Sequence, residues 1–234
     1  MFKNIKILIF FFILFFSLDQ NSREIGQTEI TTEEGIEVYQ KEKYYLLKKN
    51  VQIDSDKFSL SAEKVTAHFE KDLYDITEVY SEGNVLLESS NGTTVKGQKV
   101  DYDVKNEKIY IQGKQSFLTN NDFTMKSNEN IKINNFLGQF ELNGLNSELI
   151  TSQVEIIGEK ILGNFSEING ENIIKKLNAK DNNQVYIKTS NMEMYALEAK
   201  YDYNTNIIEL FSKVKMCITI GKIHLLGSRC FSFA

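Results

Sequence analysis

Proline and tryptophan are absent from the 234 residues, and cysteine and histidine occur twice each. Without proline nothing in the chain deletes a ladder hydrogen bond, so long strands are permitted. Cys217 and Cys230 are too few for a disulfide framework, and with His224 near them they fit no zinc spacing. An exported chain oxidises such a pair only if the Cα atoms approach closely, which spacing does not show. Basic residues do not predominate either: 27 Lys and Arg stand against 32 Asp and Glu, and the net charge of −5 argues against a nucleic-acid binder with its basic stripe. Catalytic signatures are missing too, with no G-x-S-x-G elbow, P-loop, H-E-x-x-H or dinucleotide fingerprint. The chain is therefore expected not to be an enzyme, with no catalytic residue, no metal and no cofactor. His68 implies no partner and is expected at the surface or rim. Asp101 and Asp103 share the strand face opposite Tyr102, expected as a solvated face rather than an acid–base or calcium site.

What is present begins with an export signature. Lys3 and Lys6 precede an almost unbroken apolar run from Ile7 to Leu18. That length suits the apolar region of a signal peptide, about 7–15 residues, and falls short of the ~20 of a spanning helix. No A-x-A site follows, so a cleaved signal peptide and an uncleaved anchor both stand as readings of residues 1–18. Residues 19–34 are polar, without periodicity, and read as a linker.

From Gly35 the text alternates. Val51-x-Ile53, Phe58-x-Leu60-x-Ala62, Val85-x-Leu87, Val100-x-Tyr102-x-Val104 and Ile109-x-Ile111 each set apolar residues on one strand face. Phe123-x-Met125, Ile131-x-Ile133, Phe140-x-Leu142 and Ile208-x-Leu210 continue the pattern. Turn signals fall between them: Glu82-Gly83-Asn84, Asn91-Gly92, Lys105-Asn106-Glu107, Asn120-Asn121-Asp122, Asn143-Gly144, Asn169-Gly170 and Asp181-Asn182-Asn183. Each tolerates positive φ and is expected to close a hairpin. Half-buried strands with regular turns indicate an all-β sandwich, roll or solenoid. The stretch Ile168 to Leu177 has the weakest pattern.

The strands also repeat. Residues 62–69 (AEKVTAHF) resemble 97–104 (GQKVDYDV) and 158–165 (GEKILGNF), with a looser copy at 196–203 (ALEAKYDY). A small residue, a polar pair and an apolar strand recur, as expected of stacked units that share a core.

The order of these segments resembles the OstA/LptA family of lipopolysaccharide-transport proteins. The residues that carry it are 35–45 (GIEVYQKEKYY), 49–51 (KNV), 60–67 (LSAEKVTA), 81–85 (SEGNV) and 95–103 (VKGQKVDYD). A weaker echo lies at 194–214, in Tyr201-Asp202-Tyr203 and Ile208-Glu209-Leu210. The resemblance implies a twisted antiparallel β-jellyroll, or β-taco, over 35–118, with 119–216 as its continuation or a second unit. From Cys217 the pattern is lost, so 217–234 is expected as an atypical tail.

The implied function is non-enzymatic binding and transport of lipopolysaccharide, through lipid A, across the periplasm. Implied partners are lipopolysaccharide, LptC-like and LptD-like transport proteins, and further copies joined head to tail by β-augmentation. Ile53, Leu60, Ala62, Val85, Leu87, Val100, Tyr102, Val104, Ile109 and Ile111 are the implied lipid-binding groove. Two alternatives stand beside it. One is an LptC-like acceptor anchored in the inner membrane by residues 1–18. The other is a structural β-solenoid or surface module without lipid cargo.

Overall fold

The structure, a computed structural model, describes residues 28–72, 75–220 and 227–233. The export or anchor segment 1–18 lies outside them. The described chain forms 17 antiparallel strands. The first seven are β1 (Glu29–Thr31), β2 (Ile36–Tyr39), β3 (Tyr44–Asp54), β4 (Phe58–Phe69), β5 (Ile76–Ser89), β6 (Thr94–Asp103) and β7 (Lys108–Gln112). Next come β8 (Ser116–Thr119), β9 (Phe123–Ser127), β10 (Asn130–Asn134), β11 (Gln139–Thr151) and β12 (Glu155–Ile168). The last are β13 (Glu171–Lys188), β14 (Met192–Asp202), β15 (Ile207–Phe211), β16 (Val214–Ile220) and β17 (Gly227–Phe233).

The long strands do not stay in one plane. Within β4 the buried positions are Leu60 and Ala62, then Val65 and Phe69, so the alternation changes phase at Glu63. A one-residue slip would send the second half of the strand outward. A β-bulge absorbs the extra residue and bends the chain. The register skips in the same way between Lys48 and Val51, Glu82 and Val85, Asn143 and Ser147, Ile157 and Lys160, and Lys180 and Val185. These bulges line up as one fold line, and the sheet closes along it into two facing leaves.

The first leaf contains β2, residues 44–48, 64–69, 76–82 and 99–103, β7, β10, residues 139–143, 160–168, 171–180 and 198–202, and β15. The second contains β1, residues 51–54, 58–62, 85–89 and 94–97, β8, β9, residues 147–151, 155–158, 185–188 and 192–196, β16 and β17. Buried side chains of both leaves, such as Val65, Ile111 and Leu142 against Val51, Val85 and Leu149, form one core cluster. This is the β-taco arrangement.

The sequence repeats mark the fold line. In each copy the small residue is the last paired position on the second leaf: Ala62 opposite Val51, Gly97 opposite Val85, Gly158 opposite Ser147 and Ala196 opposite Val185. Small size is required there because the inside of the corner is crowded. A Cβ on Gly97 would stand 2.7 Å from Ile111 Cγ2 and 3.1 Å from the Lys99 carbonyl oxygen.

One set of sequence expectations, three of the turn signals, is corrected. Glu82-Gly83-Asn84, Asn143-Gly144 and Asp181-Asn182-Asn183 close no hairpins; they lie inside β5, β11 and β13, at the fold line. At the first two the reason is shared chemistry, since these corners use the same positive φ as a hairpin turn: Gly83 has φ 83°, Asn84 48° and Gly144 121°. The remaining turn signals do lie between strands. The linker stretch 19–34 supplies β1, which pairs with the end of β3. Ile168 to Leu177 forms the β12–β13 hairpin. Within the stretch 217–234, residues 217–220 and 227–233 join the second leaf, through β16 on β14 and β17 on β16. There Cys217 is disulfide-bonded, and the backbone register sets it opposite Cys230.

Strand pairing passes from 35–118 into 119–216 without a break, through β7 on β10 and β8 on β9.

Candidate functional site

The ten expected groove residues all come from the half of the roll built by β3 to β7. Ile53, Leu60, Ala62, Val85 and Leu87 belong to the second leaf, and Val100, Tyr102, Ile109 and Ile111 to the first. Val104 follows β6 in the turn to β7. Leu60, Ala62, Val85, Val100 and Ile111 are fully packed in the core cluster, and Ile53, Leu87 and Ile109 pack against it half-buried. Tyr102 and Val104 are half-buried, and burial pushes the Tyr102 phenol above its usual range.

The interior opens in the other half. Between the leaves lies a cavity of about 610 Å³, within the size range of small-molecule sites, ~300–1,000 Å³. Its walls are apolar: Phe123, Leu149 and Ile187 from the second leaf face Ile174, Leu177, Ala199 and Ile208 from the first. Tyr201 is the polar-tipped member of the wall, and burial raises its phenol. None of the ten expected residues lines this cavity. Alternation shows which residues face inward, not where the leaves stand apart.

An aromatic partition bounds the cavity toward the β3–β7 half. Phe165 stands between Phe123, ring centroids 5.8 Å apart, and Phe140, at 6.5 Å. Phe140 fits because its cross-strand partner is Gly163, and a Cβ there would run into the Phe140 ring.

The cavity mouth lies between two lips formed by the hairpin turns of the two leaves. The second leaf contributes Asn120, Asn121 and Asp122 and the stretch Thr151 to Val154; the first contributes Glu171, Asn172, Tyr203 and Asn206. Amides, hydroxyls and two carboxylates thus frame an apolar interior. Asp122 joins the lips, because its Oδ2 accepts hydrogen bonds from the Asn172 backbone N–H at 2.9 Å and from Asn172 Nδ2 at 2.8 Å.

The outer face of the first leaf has different chemistry. His68 lies there half-buried, with ring centroids 5.5 Å from Tyr44 and 5.6 Å from Tyr80, and Tyr39 stacks on Tyr44 at 4.5 Å. The Tyr80 hydroxyl donates to Glu78 at 2.8 Å, and that bond, with burial and nearby carboxylates, pushes its phenol up to about 12. Asp101 and Asp103 lie on this face, across from Tyr80 and Glu78. Burial raises the Asp101 carboxyl, while Asn106 hydrogen bonds hold Asp103 low. An open trough of about 760 Å³ runs across these strands past Tyr80, Tyr110, Lys132 and Glu141. Lys132 sits 5.4 Å from the Tyr110 ring and 3.8 Å from Glu141.

No protein-family model and no curated protein matches the sequence. Among solved structures the chain is similar to LptH, described as the LptA-homologous periplasmic component of the conserved lipopolysaccharide transport device from Pseudomonas aeruginosa. The likeness has 15% sequence identity and a TM-score of 0.42, and it covers 50% of this chain and 82% of that one.

Proposed function

We propose that this chain is a non-enzymatic carrier of an acylated lipid of the lipopolysaccharide type, working in the periplasm as one segment of a bridge. The apolar cavity between the leaves, open between polar lips, is the observation that carries the reading. Each methylene that leaves water for such walls contributes about 0.8 kcal/mol, so acyl chains are retained without any specific polar contact. The lips, rich in amide, hydroxyl and carboxylate groups, suit a hydroxylated headgroup left at the surface.

The start of the roll supports the bridge. Ile36 and Val38 pair with Leu47 and Tyr45 and so face inward, yet they are 47% and 46% exposed. Ile30, opposite Ile53, is 41% exposed. An inward apolar face left open at a strand edge suits a neighbour that extends both leaves. The partners proposed on this basis are further copies of the chain and LptC-like and LptD-like proteins. The ten residues of the β3–β7 half are proposed as the wall the lipid meets beyond the aromatic partition.

Photo-crosslinking amino acids test the reading. With lipopolysaccharide present, probes at Ile187 and Ile208 are expected to capture it, and probes at the outward Lys99 and Leu162 are not. Capture at the outward positions alone, or at none, rejects a lipid carrier.

A further inference from the structure

We propose that the gap between the lips beside Asp122 is the portal through which an acyl chain reaches the cavity, and that the Asp122–Asn172 bridge narrows this portal. The proposal rests on the carrier reading above and adds where and how the lipid gets in: from the side, through a latch, rather than only along the roll.

The bridge spans the two leaves. Asp122 belongs to the β8–β9 turn on the second leaf's lip, and Asn172 to β13 just past the β12–β13 turn on the first leaf's lip. They are 50 residues apart in sequence, and both border the cavity. One oxygen, Oδ2, accepts both hydrogen bonds, so moving a single carboxylate releases both.

The Asp122 arm is preset. Asn120 Oδ1 accepts from the N–H groups of Asp122 and Phe123, both at 2.9 Å, which fixes the turn's shape. The strands that carry the turn are paired on both sides, β8 with β6 and β9, and β9 with β8 and β11. The turn beyond the last pair, Thr119 with Thr124, can therefore shift while the strands stay zipped.

The latch also connects to the partition. Phe123 follows Asp122 directly, and its ring faces Phe165 at the inner end of the cavity. An outward swing of the turn therefore parts the lips and draws Phe123 from Phe165 in one motion. A purely structural tie belongs over packed core; this one lies over open apolar volume. Water replaces its hydrogen bonds when they break, so their net contribution is modest, on the order of tenfold in an equilibrium, which suits a contact that must open repeatedly.

The test is the uptake rate of cis-parinaric acid by the full chain, followed by its fluorescence in stopped flow. Asp122→Ala is expected to load roughly tenfold faster than wild type, the effect of losing hydrogen bonds to a charged group. Asp122→Asn keeps an acceptor oxygen and is expected to load at an intermediate rate. In Asp122→Cys/Asn172→Cys, a short thiol-to-thiol crosslinker is expected to slow loading at least about tenfold relative to the same variant left open. Circular dichroism of each variant confirms retained strand structure. Uptake at the wild-type rate in both Asp122→Ala and the crosslinked variant overturns the portal and leaves the carrier reading intact. A wild-type chain that takes up no probe overturns the carrier reading and the portal with it.

Discussion

Gly163 gives up a side chain so that Phe140 can lie across the interior. A methyl group there would meet the Phe140 ring and approach the Lys176 carbonyl oxygen to 2.7 Å. Gly163→Ala is therefore expected to cost about 1–3 kcal/mol, typical of overpacking, measured as a lower midpoint in urea. Phe140→Leu in the same background should recover part of that loss by making room, and a fully additive double variant would reject the contact as its cause. At this scale the sequence was half legible. Alternation set Phe140 and Leu142 on an inward face, and the structure agrees. It gave no hint that Phe140 needs a glycine across the strand, because cross-strand partners are fixed by register and not by sequence neighbours.

Between residues and the whole molecule stand strands that change leaf halfway. Their existence was legible from period-two alternation. Their bends were not, because the stretch around the bulge at Glu63 contains neither glycine nor proline, and a strand that changes phase reads as two short strands. Where glycine and asparagine do mark a bend, as at Gly83 and Asn84, they look the same as a hairpin signal.

The outer faces of these strands are tied by rows of charge. Glu82 accepts a hydrogen bond from Lys99 at 2.9 Å and lies 3.7 Å from Lys64 on the opposite neighbour. The Lys99 bond first, and Lys64 next, hold its carboxyl below the usual range. The folded chain thus binds this proton less tightly than the unfolded chain does. The stabilisation is present above the unfolded value of about 4.3 and is lost as pH falls through the lower folded value. A plot of melting temperature against pH should fall more steeply below that point for wild type than for Glu82→Gln. Parallel curves would show that the row carries no net stabilisation, the usual outcome for exposed pairs.

For the whole molecule, stacked strand units were legible because a small residue, a polar pair and an apolar strand recur; that four of these copies mark corners between two leaves was not. The place of the cavity was not, since packed and open parts of the interior share one apolar code. The exposed inward residues of β2 bear on assembly. Ile36→Lys/Val38→Lys places two charges on that edge, a common natural guard against strand addition. The double variant is expected to remain monomeric in light scattering at concentrations where wild type forms chains of subunits. Equal mass for both would remove the edge from the assembly contact.

The pairing pattern has one more consequence. Among the described residues, no strand joins a partner further than three places along the chain, the widest step being β7 to β10. Every leaf can therefore be zipped from one end as the polypeptide emerges, each new hairpin finding its template already in place. Loop closure stays short at every step, so a protein made almost wholly of strands escapes much of the slow search that distant pairing imposes. Its length becomes a matter of how many hairpins are appended, and a chain with one more corner unit would fold by the same rule.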